Sequence, residues 1–207
     1  MEFKNLELFI TLSWILILTP GPDLLYVLTR GISGGKKAGL ISAFGVTAGI
    51  LVHTLFAALG LSLILKTSAT AFMVIKFAGA IYLIYLGVKA LLSKEKFDLD
   101  TQKRIPNRKV FVQGMLTNIL NPKVALFFLA FLPQFINADA MQSHETQLSL
   151  LGLLFCFFGL IFLTVLGYFA GTIGNYLLSH KNAGGIVQKI AGSIMVLLGI
   201  RLVFSER

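Results

Sequence analysis

Apolar positions dominate the chain in runs separated by short polar stretches, and a helix of roughly 20 apolar residues spans the hydrocarbon core of a bilayer. Six such runs fall at about Leu6–Leu28, Gly39–Leu65, Ala71–Leu92, Phe111–Ile136, Gln147–Leu178 and Gly184–Phe204. They use nearly all of the 207 residues and leave no length for a soluble domain. The pattern predicts an all-α integral membrane protein with six transmembrane helices.

The first run is interrupted at Thr19-Pro20-Gly21-Pro22-Asp23. Pro20 and Pro22 lack backbone N–H groups and their rings crowd the preceding turn, so no helix passes straight through. A carbonyl freed in hydrocarbon costs several kcal/mol unless a polar group meets it. A broken span carrying a carboxylate therefore reads as the wall of a polar cavity, as in transporters. The fourth run is interrupted in the same way at Asn118–Lys123, around Pro122. At about 1.5 Å per residue, both breaks fall near mid-depth.

The two breaks belong to a duplication. Leu18-Thr19-Pro20 stands against Leu120-Asn121-Pro122. Lys76-Phe77-Ala78-Gly79-Ala80-Ile81 with Leu86-Gly87-Val88-Lys89 stands against Lys189-Ile190-Ala191-Gly192-Ser193-Ile194 with Leu198-Gly199-Ile200-Arg201. Each copy holds three spans, an odd number, so the second enters the membrane from the opposite side. Two inverted three-helix repeats are expected, about 1–92 and 110–207, in one transport domain covering 1–207. A polar linker, Ser93–Lys109, is expected to join them on the cytoplasmic side as a tether, or as a gate. Gly45-xxx-Gly49 and Gly167-xxx-Gly171 do not fit the repeat offset. They offer faces for close helix packing within one subunit, or for a homodimer contact.

Composition supports this and adds an orientation. The chain is 56% hydrophobic and 13% charged, with a formal net charge of +9. Arg30, Lys36, Lys37, Lys94, Lys96, Lys103, Arg104, Arg108, Lys109 and Lys181 fall on one side of the predicted bundle; Lys4, Lys66, Lys76, Arg201 and Arg207 fall on the other. The positive-inside rule puts the odd-numbered loops in the cytoplasm and both termini outside. The loop Asn137–Thr146 holds no lysine or arginine, as expected of a translocated segment. Basicity here encodes orientation, and no interleaved aromatics mark a nucleic-acid surface. The first span is expected to stay in the bundle, since no small-residue cleavage site follows it.

The candidate chemistry suits a zwitterion. Asp23 is the one carboxylate well inside a span; it can pair with an ammonium, carry a proton, or act as an N-cap or first-turn residue of the half-helix beginning at Leu24. Lys123 can hold a substrate carboxylate, snorkel to the cytoplasmic interface, or pair with a nearby carbonyl. Asn118 and Asn121 can satisfy carbonyls freed by Pro122 or donate to substrate, and Thr19 can serve as a backbone partner at the break. Gly21 permits a special conformation or a close backbone approach. His53, one turn beyond Gly49, is a candidate for proton coupling or for core packing. Tyr82 and Tyr85 reach the cavity or pack as bulk aromatics. No metal cluster, nucleophile–base pair or phosphate-binding loop occurs, so no cofactor and no enzymatic activity are expected. Cys156 is the sole cysteine and excludes an intramolecular disulfide.

These motifs resemble the LysE/RhtB-type (lysine exporter, homoserine-threonine efflux) family of bacterial amino-acid exporters. The resemblance rests on Thr19 to Asp23, on Gly45-Val46-Thr47-Ala48-Gly49, and on Lys76 to Gly87. It extends through Gly114-Met115-Leu116-Thr117-Asn118-Ile119-Leu120-Asn121-Pro122-Lys123 and Phe131-Leu132-Pro133-Gln134-Phe135. It implies secondary-active export of a neutral or small polar amino acid, of threonine or homoserine type, across the inner membrane by proton exchange. Export of an inorganic cation is the alternative. A cation site needs several converging oxygens, and Asp23 alone supplies one carboxylate.

Overall fold

The computed structural model describes residues 3–61, 68–92 and 105–170, and residues 172, 189, 192–193, 196–197, 199–200 and 202–204 near the C-terminus. Linker residues 93–104 and most of the predicted sixth span lie outside the described residues. The described elements are helices: α1 (Leu6–Leu18), α2 (Pro22–Phe56), α3 (Ala69–Leu92), α4 (Asn107–Ile119), α5 (Pro122–Leu126) and α6 (His144–Tyr168). A π-helical turn, Ala57–Leu61, extends α2, and α5 continues through a π turn and a 3-10 turn to Phe135. Pro22–Gly60 and His144–Tyr168 each hold an apolar stretch long enough to cross a membrane, and α4 with Pro122–Phe135, bent by 47°, makes a third. Asn107–Lys109, expected in the linker, form the first turn of α4.

The long α2 is a hairpin, folded back at Gly35. That residue has φ 78° and ψ −178°, a left-handed conformation that only glycine adopts freely. Along an unbroken helix Gly31 and Gly39 stand about 12 Å apart. Here a Cβ built on Gly31 lies 3.5 Å from the Gly39 Cα. The first arm, residues 22–34, takes in the last part of the first predicted span and runs past its expected end at Leu28, and the second, residues 36–56, takes in the first part of the second predicted span.

α1 and the first arm of α2 run antiparallel to α4 and α5. The Lys4 amide donates to the Phe135 carbonyl at 3.1 Å at one end, and the Tyr26 hydroxyl donates to the Val110 carbonyl at 2.7 Å at the other. Each half is broken in the middle, and the breaks lie side by side. α3 and the described residues near the C-terminus likewise run in opposite directions: Gly87 packs on the Gly192 carbonyl and Gly199 on the Ala80 carbonyl.

Beside the breaks lies an aromatic core. Phe127 and Phe155 rings are 4.8 Å apart, Phe128 meets Phe155 edge-on, and Phe9 meets Phe135 edge-on. Phe44, Leu55, Phe56, Leu59 and Phe157 point outward and are exposed, as a lipid-facing surface requires. Lipid tails are as apolar as these side chains, so close packing and polar contacts, rather than apolar transfer, hold such helices together.

Candidate functional site

The prolines decide which carbonyls need partners. In an α-helix the carbonyl of residue i accepts from the N–H of residue i+4. Pro20 removes the donor for Leu16, and Pro122 removes the donor for Asn118. Each of these carbonyls keeps a tighter-turn amide, Thr19 N–H donating to Leu16 at 3.2 Å and Asn121 N–H to Asn118 at 2.9 Å, and each also meets a side chain from the opposite half of the chain. The Lys123 ammonium donates to the Leu16 carbonyl at 3.1 Å and to the Thr19 carbonyl at 2.9 Å. His53 Nε2 lies 3.1 Å from the Asn118 carbonyl; a carbonyl only accepts, so in this contact Nε2 carries the proton. The two breaks are thereby stitched to each other.

Of the readings open for Lys123, the structure shows carbonyl pairing rather than snorkelling. Its side chain is buried and runs beside Gly21, where a Cβ would lie 3.3 Å from Nζ. Gly21 itself is extended, with φ −172°, so neither a special conformation nor a backbone approach explains it. Its missing side chain makes room for the lysine. Thr19 is a backbone partner as expected, its hydroxyl donating to the Ile15 carbonyl at 2.7 Å.

Asp23 lies in the first turn of α2, whose N-cap is Gly21 with no side-chain cap bond. Its carboxylate thus serves no N-cap. Oδ2 accepts from Asn118 Nδ2 at 2.9 Å and from Asn121 Nδ2 at 2.8 Å. These contacts orient both amides, because a carboxylate oxygen needs donors. The Asn121 Oδ1 then caps α5 by accepting from the Lys123 amide at 3.0 Å. Asp23 Oδ1 and Asn118 Oδ1 are buried and have no hydrogen-bond partner. Buried polar atoms almost always find partners, so these two acceptors mark a place for a donor the chain itself does not supply.

A cavity of about 30 Å3 opens at this point, bordered by Asp23, Asn118 and Lys123 and by apolar Ile17, Leu24, Val46, Ile50, Phe155 and Leu163. Such a volume holds a water molecule or two and no larger solute. The cavity as it stands is too small for a solute the size of an amino acid. Asp23, Asn118 and Lys123 border it, and Asn121, Thr19 and His53 join them through hydrogen bonds to Asp23, Lys123 and Asn118 respectively. Tyr82 and Tyr85 pack against each other with ring centres 5.7 Å apart and tilted by 44°, and they do not border the cavity. His53 stacks on Phe128 at 5.6 Å. Sequence reasoning missed the pairing of His53 with the Pro122 break, although a proline four residues after Asn118 was the available signal.

Gly49 brings the second arm of α2 onto this site. A Cβ there would lie 2.6 Å from the Asn118 Cβ and 2.8 Å from the Met115 carbonyl. Gly49→Val should push Asn118 off Asp23, lower the thermal midpoint by overpacking worth about 1–3 kcal/mol, and abolish function. Gly60→Ala, with open space around it, should change stability by less than about 0.5 kcal/mol. Thermal melts of the two purified variants check both.

Residues 14–206 match the family described as LysE type translocator. Uncharacterized membrane protein YrhP of Bacillus subtilis (strain 168) is 33% identical over 207 residues, covering 95% of this chain and 97% of its own length. Leucine efflux protein of Salmonella typhimurium is 30% identical over 193 residues, covering 90% and 89%. Leucine efflux protein of Enterobacter sp. (strain 638) is 26% identical over 200 residues, covering 96% and 94%. No solved structure gives a significant match. The match over nearly the whole chain, on helices built to span a membrane and broken around a buried carboxylate, places this protein in the LysE type translocator family.

Proposed function

We propose that the protein is a secondary-active exporter of neutral amino acids, exchanging them for protons across the bacterial inner membrane. The observation that carries this reading is Asp23, held between two proline breaks with one carboxylate oxygen engaged and the other, like the nearby Asn118 amide's Oδ1, buried without a partner. An ammonium has three N–H donors and fits two such acceptors. A proton on Asp23 and an ammonium against it exclude each other. That competition gives exchange without any further device.

The apolar border of the cavity favours an aliphatic side chain over the hydroxylated ones of threonine or homoserine. The relatives named leucine efflux protein point the same way. Export of an inorganic cation finds less support, since one carboxylate and one amide oxygen fall short of the six or more oxygens a hard cation takes. His53, whose proton is committed to the Asn118 carbonyl, serves the helix break rather than proton coupling in this reading.

Two inverted three-helix repeats, joined by the linker, account for the antiparallel pairing of the broken helices. They account equally for the reciprocal packing of Gly87 on Gly192 and Gly199 on Ala80. The charge bias sets the odd-numbered loops in the cytoplasm and both termini outside.

Counterflow in proteoliposomes tests the function. Vesicles preloaded with leucine should take up labelled leucine faster than labelled threonine, homoserine or lysine. A preference for threonine or homoserine would replace the aliphatic assignment, and exchange of no amino acid would overturn the export reading.

A further inference from the structure

A second polar cleft, about 170 Å3 in volume, lies two helical turns from Asp23 and is bordered by Arg30, Ser33, Gly34, Asn107 and Val110. Arg30 is buried, with 6% of its surface exposed. One guanidinium nitrogen donates to Gln113 Oε1 at 2.9 Å, and the group sits 5.4 Å from the centre of the Tyr26 ring. Its Nε is buried with no partner. A guanidinium carries five N–H donors in a planar fork that matches a carboxylate. Burying one against a neutral amide and a ring, with a donor left idle, is costly unless an anion completes the site.

The surroundings are chosen for an anion. α4 begins in the cleft wall at Asn107, with no side-chain cap, so the positive end of its dipole opens there. Lys36 and Lys37 follow just past the hairpin turn at Gly35 but lie outside the cleft border, the Lys36 ammonium standing 4.1 Å from the centre of the Tyr168 ring. Arg30 lies seven residues beyond Asp23 on the same helical arm, about 10 Å along the axis and nearly on the same face. The ammonium and carboxylate of an α-amino acid are attached to one carbon and cannot span that distance. Asp23 and Arg30 therefore cannot hold one substrate molecule together.

We propose that the Arg30 cleft is a carboxylate-binding loading site, which captures the amino acid by its carboxylate before the ammonium reaches Asp23. This rests on the export reading above. Between the two sites stands Tyr26, whose hydroxyl is held by the Val110 carbonyl. The order of events follows from the charges: the basic cleft attracts the anionic end first, and the cavity carboxylate then takes the cationic end.

The test places a thiol in the cleft, with Ser33→Cys in a Cys156→Ser background, and measures its labelling in lipid nanodiscs by anionic and cationic methanethiosulfonates. The anionic reagent should react about tenfold faster. Leucine should slow that reaction, and 3-methylbutylamine, the same molecule without its carboxylate, should not. Arg30→Gln should cut the charge preference about fivefold or more and remove leucine protection, while Arg30→Lys should keep much of the preference.

Equal rates for the two reagents, or a preference untouched by Arg30→Gln, would overturn the proposal. So would equal protection by leucine and by the amine, or protection by neither. Counterflow by the same protein in proteoliposomes separates the two levels. Intact exchange with any of those failures removes the loading site alone, and absent exchange removes the export reading with it.

Discussion

Asp23→Asn should reduce amino-acid exchange about thirtyfold or more, because truncating one partner of a buried charge pair costs roughly 2–5 kcal/mol. The substitution keeps shape and keeps an acceptor oxygen with two lone pairs, so the Asn118 and Asn121 amides that now donate to Oδ2 retain a partner. Folding should survive and function should not. Asp23→Leu makes the contrast: it strands both amides in the interior, at about 1–3 kcal/mol each. That variant should lose exchange and also melt earlier. Counterflow and thermal unfolding of the two variants, measured side by side, check the pair. An Asp23→Asn protein that exchanges at the native rate would remove the carboxylate from the substrate's path.

Lys123→Met should act in the opposite sense, as a loss of stability before a loss of recognition. The ammonium is the donor that replaces the N–H missing at Pro20, bonding the Leu16 and Thr19 carbonyls. Methionine has similar length and no donor. The Leu16 carbonyl keeps the Thr19 amide at 3.2 Å, so the Thr19 carbonyl is the one stranded, at about 1–3 kcal/mol, and more where no water reaches it. The thermal midpoint should fall by about five degrees, with the half-saturation concentration of the surviving folded protein nearly unchanged. A normal melt with half-saturation raised tenfold or more would instead make Lys123 the group that holds the substrate carboxylate.

The breaks themselves were legible because proline acts locally. Pro20, Pro22 and Pro122 stop helices whatever surrounds them: α1 ends at Leu18 and α4 at Ile119, just before the breaks, and α2 and α5 begin at Pro22 and Pro122. The residue types at the breaks were legible for the same reason: a carboxylate, two amides and a lysine at membrane depth need partners. Who partners whom was not legible. Asp23 meets residues 95 and 98 positions away, and Lys123 reaches back 107 positions to Leu16. Such pairings follow from how the halves pack, which helical periodicity does not encode.

Gly21 shows the limit most clearly, since a glycine beside two prolines suggests backbone freedom. Here it provides space for the Lys123 side chain. Arg30 shows another limit. Counted with Lys36 and Lys37 it reads as a charge that sets orientation, and only its burial with an idle Nε sets it apart. The π turns at Ala57–Leu61 and Phe127–Phe131 are equally silent in the sequence. They are local shifts of hydrogen-bond register within apolar stretches whose composition is that of any buried helix.

Proteoliposomes with a trapped pH-sensitive dye give the most direct test of one carboxylate shared by substrate and proton. An inward leucine gradient imposed on vesicles containing the native protein should drive protons outward, raising the internal pH, and vesicles with Asp23→Asn should show no change. Leucine uptake by the native protein without proton movement, or equal proton movement in the variant, would contradict the account.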